Sequence, residues 1–169
     1  MTNPPFRIEP LNDTHNRAMF GCGEEALDRY FQTQATQDIR RLVANCFVAV
    51  ESKTGAVVAF YTLSSTSILL ADLPSAKTKH LPKYPTLPAI RIGRLAVDHR
   101  FQGHGIGRGL LLDAVKRTAA ADAAAFALVV DAKDGVAAAF YSRHGFRPVE
   151  NRPLTLYISF VTAQKALGT

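Results

Sequence analysis

The stretch from Ile90 to Leu112 limits what this chain can fold into more than any other. It reads Ile-Arg-Ile-Gly-Arg-Leu-Ala-Val-Asp-His-Arg-Phe-Gln-Gly-His-Gly-Ile-Gly-Arg-Gly-Leu-Leu-Leu. The pattern predicts a strand ending near Val97, a tight glycine turn, and a helix starting near Gly107 with Leu110, Leu111, Leu112, Ala114 and Val115 as its apolar stripe. Gly103, Gly105 and Gly107 stand at alternate positions between the two. Glycine accepts positive φ and leaves the backbone open to close approach. Several amides can then converge at the positive end of a helix dipole, which is an anion site suited to phosphate.

Two common phosphate loops do not fit. The P-loop pattern ends in Gly-Lys-Ser or Gly-Lys-Thr, and this chain has Gly107-Arg108-Gly109. The dinucleotide fingerprint requires a third glycine where Arg108 stands. What is present is Gln102-x-x-Gly105-x-Gly107 after Leu95-Ala96-Val97. This resembles motif A of the GNAT superfamily of acetyl-CoA-dependent N-acetyltransferases. The resemblance implies that the backbone of Leu95, Ala96 and Val97 pairs with the pantetheine arm of acetyl-CoA. It also implies that Gln102, Gly103, His104, Gly105, Ile106, Gly107 and Arg108 hold the pyrophosphate.

A length of 169 residues predicts one domain over residues 1–169. There is no apolar run near the roughly 20 residues of a membrane span, and Met1-Thr-Asn-Pro-Pro-Phe-Arg lacks the apolar core of a secretion signal. A cytoplasmic protein without membrane partners is expected. Cys22 and Cys46 lack metal-ligand spacing and read as small buried hydrophobes, so no metal is expected. The net charge is +6. From Lys77 to Arg108 lie Lys77, Lys79, Lys83, Arg91, Arg94, Arg100 and Arg108 against Asp98 alone, so the excess sits around the glycine turn. A coenzyme's phosphates account for part of that charge, and a second polyanion such as RNA would account for more.

In chain order, Phe6–Leu11 alternates as a first strand. Glu24 to Leu42 reads as a helix, in one piece or two, with acids at its start and Arg40 and Arg41 at its end. Cys46–Glu51 and Ala56–Thr66 form a hairpin about Ser52-Lys-Thr-Gly55. Residues 71–88, rich in proline, read as a stiff loop. Phe126–Asp131 is apolar throughout, as in a strand covered on both faces. Gly135–His144 reads as a helix stopped by Gly145, and Phe146–Val149 and Leu154–Phe160 as two more strands. The expected class is α/β of mixed type. The GNAT resemblance implies a mixed central sheet of about six to seven strands flanked by helices.

The second chemical signal is Phe140-Tyr141-x-x-x-Gly145-Phe146, which resembles motif B of the same superfamily. That resemblance places Tyr141 near the coenzyme sulfur as general acid. A phenol, with an ordinary pKa of about 10, is protonated at neutral pH and can hand its proton to a developing thiolate. The attacking amine must be neutral. Many superfamily members keep a carboxylate on the central strand for this, whereas here that strand carries Arg91 and Arg94. His99 and His104 could serve as bases but sit beside the turn. An α-amine, with a pKa near about 8, needs less help than a lysine, and guanidinium groups favour an anionic substrate.

Aminoacyl-tRNA offers both an α-amine and a polyanion. Phe20-x-Cys22-Gly23 with Leu27-Asp28, Val57-Val58-Ala59-Phe60-Tyr61-Thr62-Leu63, Ile92-Gly93-Arg94-Leu95-Ala96-Val97-Asp98 and Thr155-Leu156-Tyr157 together resemble the GNAT-type toxins of bacterial toxin–antitoxin systems. The resemblance implies acetylation of the amino acid on charged tRNA, a homodimer, and a ribbon-helix-helix antitoxin whose complex with the toxin binds DNA. Arg91 and Arg94 are then the expected substrate contacts, with Lys77, Lys79 and Lys83 as outer steering charges. The alternatives are an N-acetyltransferase of a small-molecule or protein amine, and a catalytically silent binding module.

Overall fold

The computed structural model describes residues 5–167; residues 1–4, within the stretch read as lacking a secretion signal, lie outside them. The strands are β1 (Phe6–Pro10), β2 (Asn45–Glu51), β3 (Val57–Leu69), β4 (Thr86–Val97), β5 (Ala127–Asp131), β6 (Arg147–Val149) and β7 (Arg152–Ser159). They hydrogen-bond in the order β1-β2-β3-β4-β5-β7-β6, a seven-stranded mixed sheet. The helices are α1 (Glu25–Arg29), α2 (Ala35–Arg40), α3 (Ser75–Thr78), α4 (Ile106–Ala120), α5 (Gly135–Arg143) and α6 (Phe160–Leu167). The chain divides into two compact units, residues up to 64 with 93–113, and residues 65–92 with 114 onward.

The first unit is built on the antiparallel strands β1, β2 and the first part of β3, in register Phe6↔Glu51 and Asn45↔Leu63. Val48, Val50, Val57 and Phe60 alternate onto the face that Phe20, Tyr30 and Phe31 cover. Phe31 lies flat on Phe60, with ring centroids 4.2 Å apart and planes 1° from parallel, while Phe20 meets both rings edge-on. The helix expected over residues 24–42 is interrupted: Tyr30–Gln34 is a π-helical turn between α1 and α2. Tyr30 and Phe31, the first two residues of that turn, are both buried.

In the second unit β4 runs parallel to β5, with Ala89↔Ala127 through Ile92↔Val130, and β7 runs antiparallel to both β5 and β6. A parallel neighbour needs a long crossover, and the 15-residue α4 supplies it. Ala127, Leu128, Val129 and Val130 are all buried, as the unbroken apolar run predicts. Asp134 caps α5 by accepting a hydrogen bond from the Ala137 amide at 2.8 Å. At the other end Gly145 has φ +97°, and an added Cβ there would come within 3.1 Å of the Ala166 side chain.

One expectation fails here, and one helix lay outside the sequence reading. Residues 71–88 are not one loop: Leu70–Asp72 is a 3₁₀ turn, Ser75–Thr78 is α3, and β4 already begins at Thr86. Leu73, Thr78 and Leu87 are buried, and that burial outweighs the local proline signal. The last strand stops at Ser159, and Phe160–Leu167 is a helix. The Ser159 hydroxyl accepts from the Thr162 amide at 3.2 Å, a cap that starts α6 despite the β-branched residues around it.

Candidate active site

The glycine turn takes the form expected of it. Past β4, Asp98 caps a short 3₁₀ turn over His99–Phe101. Gly103 and Gly105 then have φ of +83° and +77°, and a Cβ built on either would touch nothing within 4 Å. Conformation, not crowding, therefore calls for glycine, and the loop's outer side is open. The Gly109 amide donates back to the Gly105 carbonyl at 3.1 Å. The amides of Ile106 and Gly107 precede that bond, in the first turn of α4, where no carbonyl lies a turn earlier in the helix. Positive φ at Gly103 and Gly105, open space beside both and the start of a helix together fit a diphosphate. Gln102 differs in one respect: its side-chain amide donates to the Val97 and Cys22 carbonyls, at 3.0 and 3.3 Å. That leaves its backbone for a ligand, and gives its side chain the task of bracing the end of β4.

A buried carboxylate that sequence reasoning passed over holds this loop in place. Asp98 is fully buried and accepts from the Gly21 amide at 3.2 Å and from the amide and guanidinium of Arg100. Burial pushes its pKa up, but the hydrogen bonds from Arg100 and Gly21 and the Arg100 charge outweigh that and hold it below the usual range. His99 Nδ1 donates to the Gly21 carbonyl at 2.7 Å, so one ring nitrogen joins the same brace. His104 stands exposed in the loop.

Just upstream, the Arg94 amide donates to the buried Thr62 hydroxyl at 3.0 Å, and a Cβ on Gly93 would lie 2.9 Å from that oxygen. The Arg94 guanidinium lies 3.6 Å from the centre of the Tyr30 ring, whose hydroxyl donates to Asp38 at 2.7 Å. This cation–π and carboxylate cluster has no linear motif.

In the second unit Tyr141 sits on α5, buried, its ring edge-on to Phe140 and Phe146 at 5.1 and 5.5 Å. Burial raises the pKa of its phenol, which is therefore a proton donor at neutral pH. Arg91 is paired with Asp131 and reaches the Thr66 hydroxyl. The three lysines do not line one cavity. Lys77 lines a cavity with Arg147 and Tyr157, Lys83 lines another with Glu150, and Lys79 is exposed beside neither. Among the described residues no group of His, Cys, Asp and Glu could hold a metal ion.

A family model described as an acetyltransferase (GNAT) domain matches residues 85–167, which include both the turn and Tyr141. A tRNA-acetylating toxin of Mycobacterium tuberculosis (strain ATCC 25618 / H37Rv) is 35% identical over 166 residues, covering 97% of this chain and 96% of the relative. The chain belongs to the GNAT acetyltransferases. Among solved structures this acetyltransferase is similar to AtaT complexed with acetyl-methionyl-tRNAfMet, with a TM-score of 0.86 and 29% identity over 97% of this chain and 99% of the other. It is also similar to AtaTR bound with AcCoA, with a TM-score of 0.81 and 28% identity over 98% and 99%. As a GNAT acetyltransferase it is an acetyl-CoA-dependent N-acetyltransferase. No helix among the described residues is long and apolar enough to cross a membrane.

Proposed function

We propose that this acetyltransferase moves the acetyl group of acetyl-CoA to the α-amine of aminoacyl-tRNA, and that it acts as the translation-blocking toxin of a toxin–antitoxin pair. The observation that carries the reading is the open, amide-lined turn at the start of α4, set in the one strongly basic segment of the chain. The relatives' names as toxins and their tRNA and acetyl-CoA complexes support the acceptor and the donor. On this reading residues 1–169 act as a single GNAT domain in the cytoplasm, as a homodimer, with a ribbon-helix-helix antitoxin as partner.

The amides of Gly103 to Arg108, with His104 and Ile106 in the loop, hold the diphosphate, and the backbone of Leu95, Ala96 and Val97 aligns the pantetheine arm. Acetyl-CoA supplies the activated acetyl group as a thioester. The neutral amine forms the new C–N bond while the C–S bond breaks. Tyr141 gives its proton to the departing sulfur, and the amine's surplus proton leaves to water. Burial that keeps the phenol protonated also raises the basicity of a thiolate formed beside it, so donor and acceptor stay matched. Arg91 and Arg94 face the anionic acceptor, with Lys77, Lys79 and Lys83 steering from outside.

The test is to incubate the protein with acetyl-CoA and charged tRNA and to analyse the released amino acids. N-acetylated amino acids are expected. Unmodified aminoacyl groups, alongside acetylation of a small amine or a peptide, would replace this reading with the other acetyltransferase one.

A further inference from the structure

Strand β4 carries no acidic residue from Thr86 to Val97, so a partner for the acceptor amine must come from elsewhere. β5 supplies a candidate. Its register sets Arg91 opposite Val129 and Ile92 opposite Val130, where the pairing of β4 with β5 ends. Val129 and Asp131 share a face, so Asp131 lies diagonal to Arg91, one residue beyond the Ile92↔Val130 pair, while β4 itself continues to Val97. On the other side Asp131 is the register partner of Thr155, whose hydroxyl donates to Oδ1 at 2.8 Å.

Arg91, Asp131 and Thr155 line a cavity of about 200 Å³ together with Arg152. Ile68, Val129 and Val149 form its apolar wall. The Asp131 side chain is 51% exposed, so the pair opens to solvent and is not locked in a core. A carboxylate offers about four lone-pair sites, and Arg91 and Thr155 use one on each oxygen. Arg152 is itself held by Asp72 at 2.5 Å. Both guanidiniums of the cavity thus carry a counter-charge before any ligand arrives. Such a site suits a ligand bearing a cationic amine and an ester carbonyl at one end, with an apolar or small polar side chain between them. It does not suit a bare polyanion.

We propose that this cavity seats the aminoacyl end of the acceptor and that Asp131 receives the α-amine as a substrate-binding residue. The inference rests on the acetyl-transfer reading above. Asp131 accepts a hydrogen bond from the ammonium form on arrival and from the neutral amine after its proton leaves. It points the nitrogen lone pair outward, while the guanidiniums face the ester. A carboxylate beside the amine also raises the pKa of the bound amine.

The experiment compares Asp131→Asn, Asp131→Glu and Arg91→Gln with the wild type, using charged tRNA or whichever amine the wild type acetylates. Asp131→Asn is expected to lower kcat/KM for the acceptor by roughly ten- to a hundredfold and to shift the rising limb of the kcat–pH profile to lower pH. Acetyl-CoA affinity and Tm should not change. Asp131→Glu should recover part of the loss, and Arg91→Gln should lower kcat/KM without that pH shift. An unchanged kcat/KM in Asp131→Asn, or the same pH shift in Arg91→Gln, overturns the assignment. A wild type active only on other amines refutes the tRNA reading and leaves the same variants as the test of Asp131. A wild type that acetylates no amine overturns both.

Discussion

Gly93 offers a test of how the backbone is set just before the segment that aligns the coenzyme. A methyl group there would stand 2.9 Å from the Thr62 hydroxyl oxygen, closer than real Cβ contacts occur. Thr62 is 1% exposed, so it has no room to retreat, and its branched side chain is stiff at χ1. The same oxygen accepts the Arg94 amide at 3.0 Å. Gly93→Ala therefore forces either an overpacked contact, costing about 1–3 kcal/mol, or loss of that hydrogen bond as well, costing about 0.5–1.5 kcal/mol more. The expected total is about 1–4.5 kcal/mol, which for a chain of this size lowers Tm by roughly 2–18 °C. Thr62→Ala removes the obstructing oxygen. In the double variant the Gly93→Ala cost should shrink, with a coupling of at least about 1 kcal/mol in a double-mutant cycle. Urea or thermal unfolding of the four proteins measures this. A Gly93→Ala protein within about 0.5 kcal/mol of the wild type, or strictly additive costs, would refute the close approach.

Two further outcomes follow from the loop. Asp98→Ala removes the acceptor of the Gly21 amide and of Arg100, and is expected to cost about 1–3 kcal/mol at neutral pH. Because the folded-state pKa of Asp98 is lowered, its contribution is complete above the ordinary carboxylate range and is lost as pH falls through that lowered value. The gap between wild type and variant should therefore close in acid, as unfolding curves at several pH values will show. Gly105→Ala places a Cβ at φ +77°, at a conformational cost of about 1–2 kcal/mol, and should weaken acetyl-CoA binding in calorimetry by roughly tenfold. Gly109→Ala, without positive φ and with open space around it, should leave binding unchanged.

The elements legible in the sequence were those with local causes. Gly103 and Gly105 announce their φ by residue type, Asp134 and Gly145 bracket α5 by capping chemistry, and the four buried residues Ala127 to Val130 announce a strand covered on both faces. What stayed hidden depends on distant partners. Asp131 meets Arg91 across 40 residues and Asp98 meets Gly21 across 77. Tyr30 meets Arg94 across 64 positions of the chain. Residues 160–167 begin with Phe, Val and Thr, and their helix starts at the Ser159 cap and buries Ala163 and Leu167. Around Leu73 and Leu87, prolines suggested a loop where packing imposes structure.

In the proposed reaction Tyr141 gives its proton to the departing sulfur of acetyl-CoA. Rapid-quench single turnovers of Tyr141→Phe against the wild type, each saturated with acetyl-CoA and mixed with charged tRNA, test it most directly. The account predicts unchanged acetyl-CoA affinity and a transfer rate lower by roughly 10²- to 10⁴-fold. A transfer rate equal to that of the wild type would contradict it.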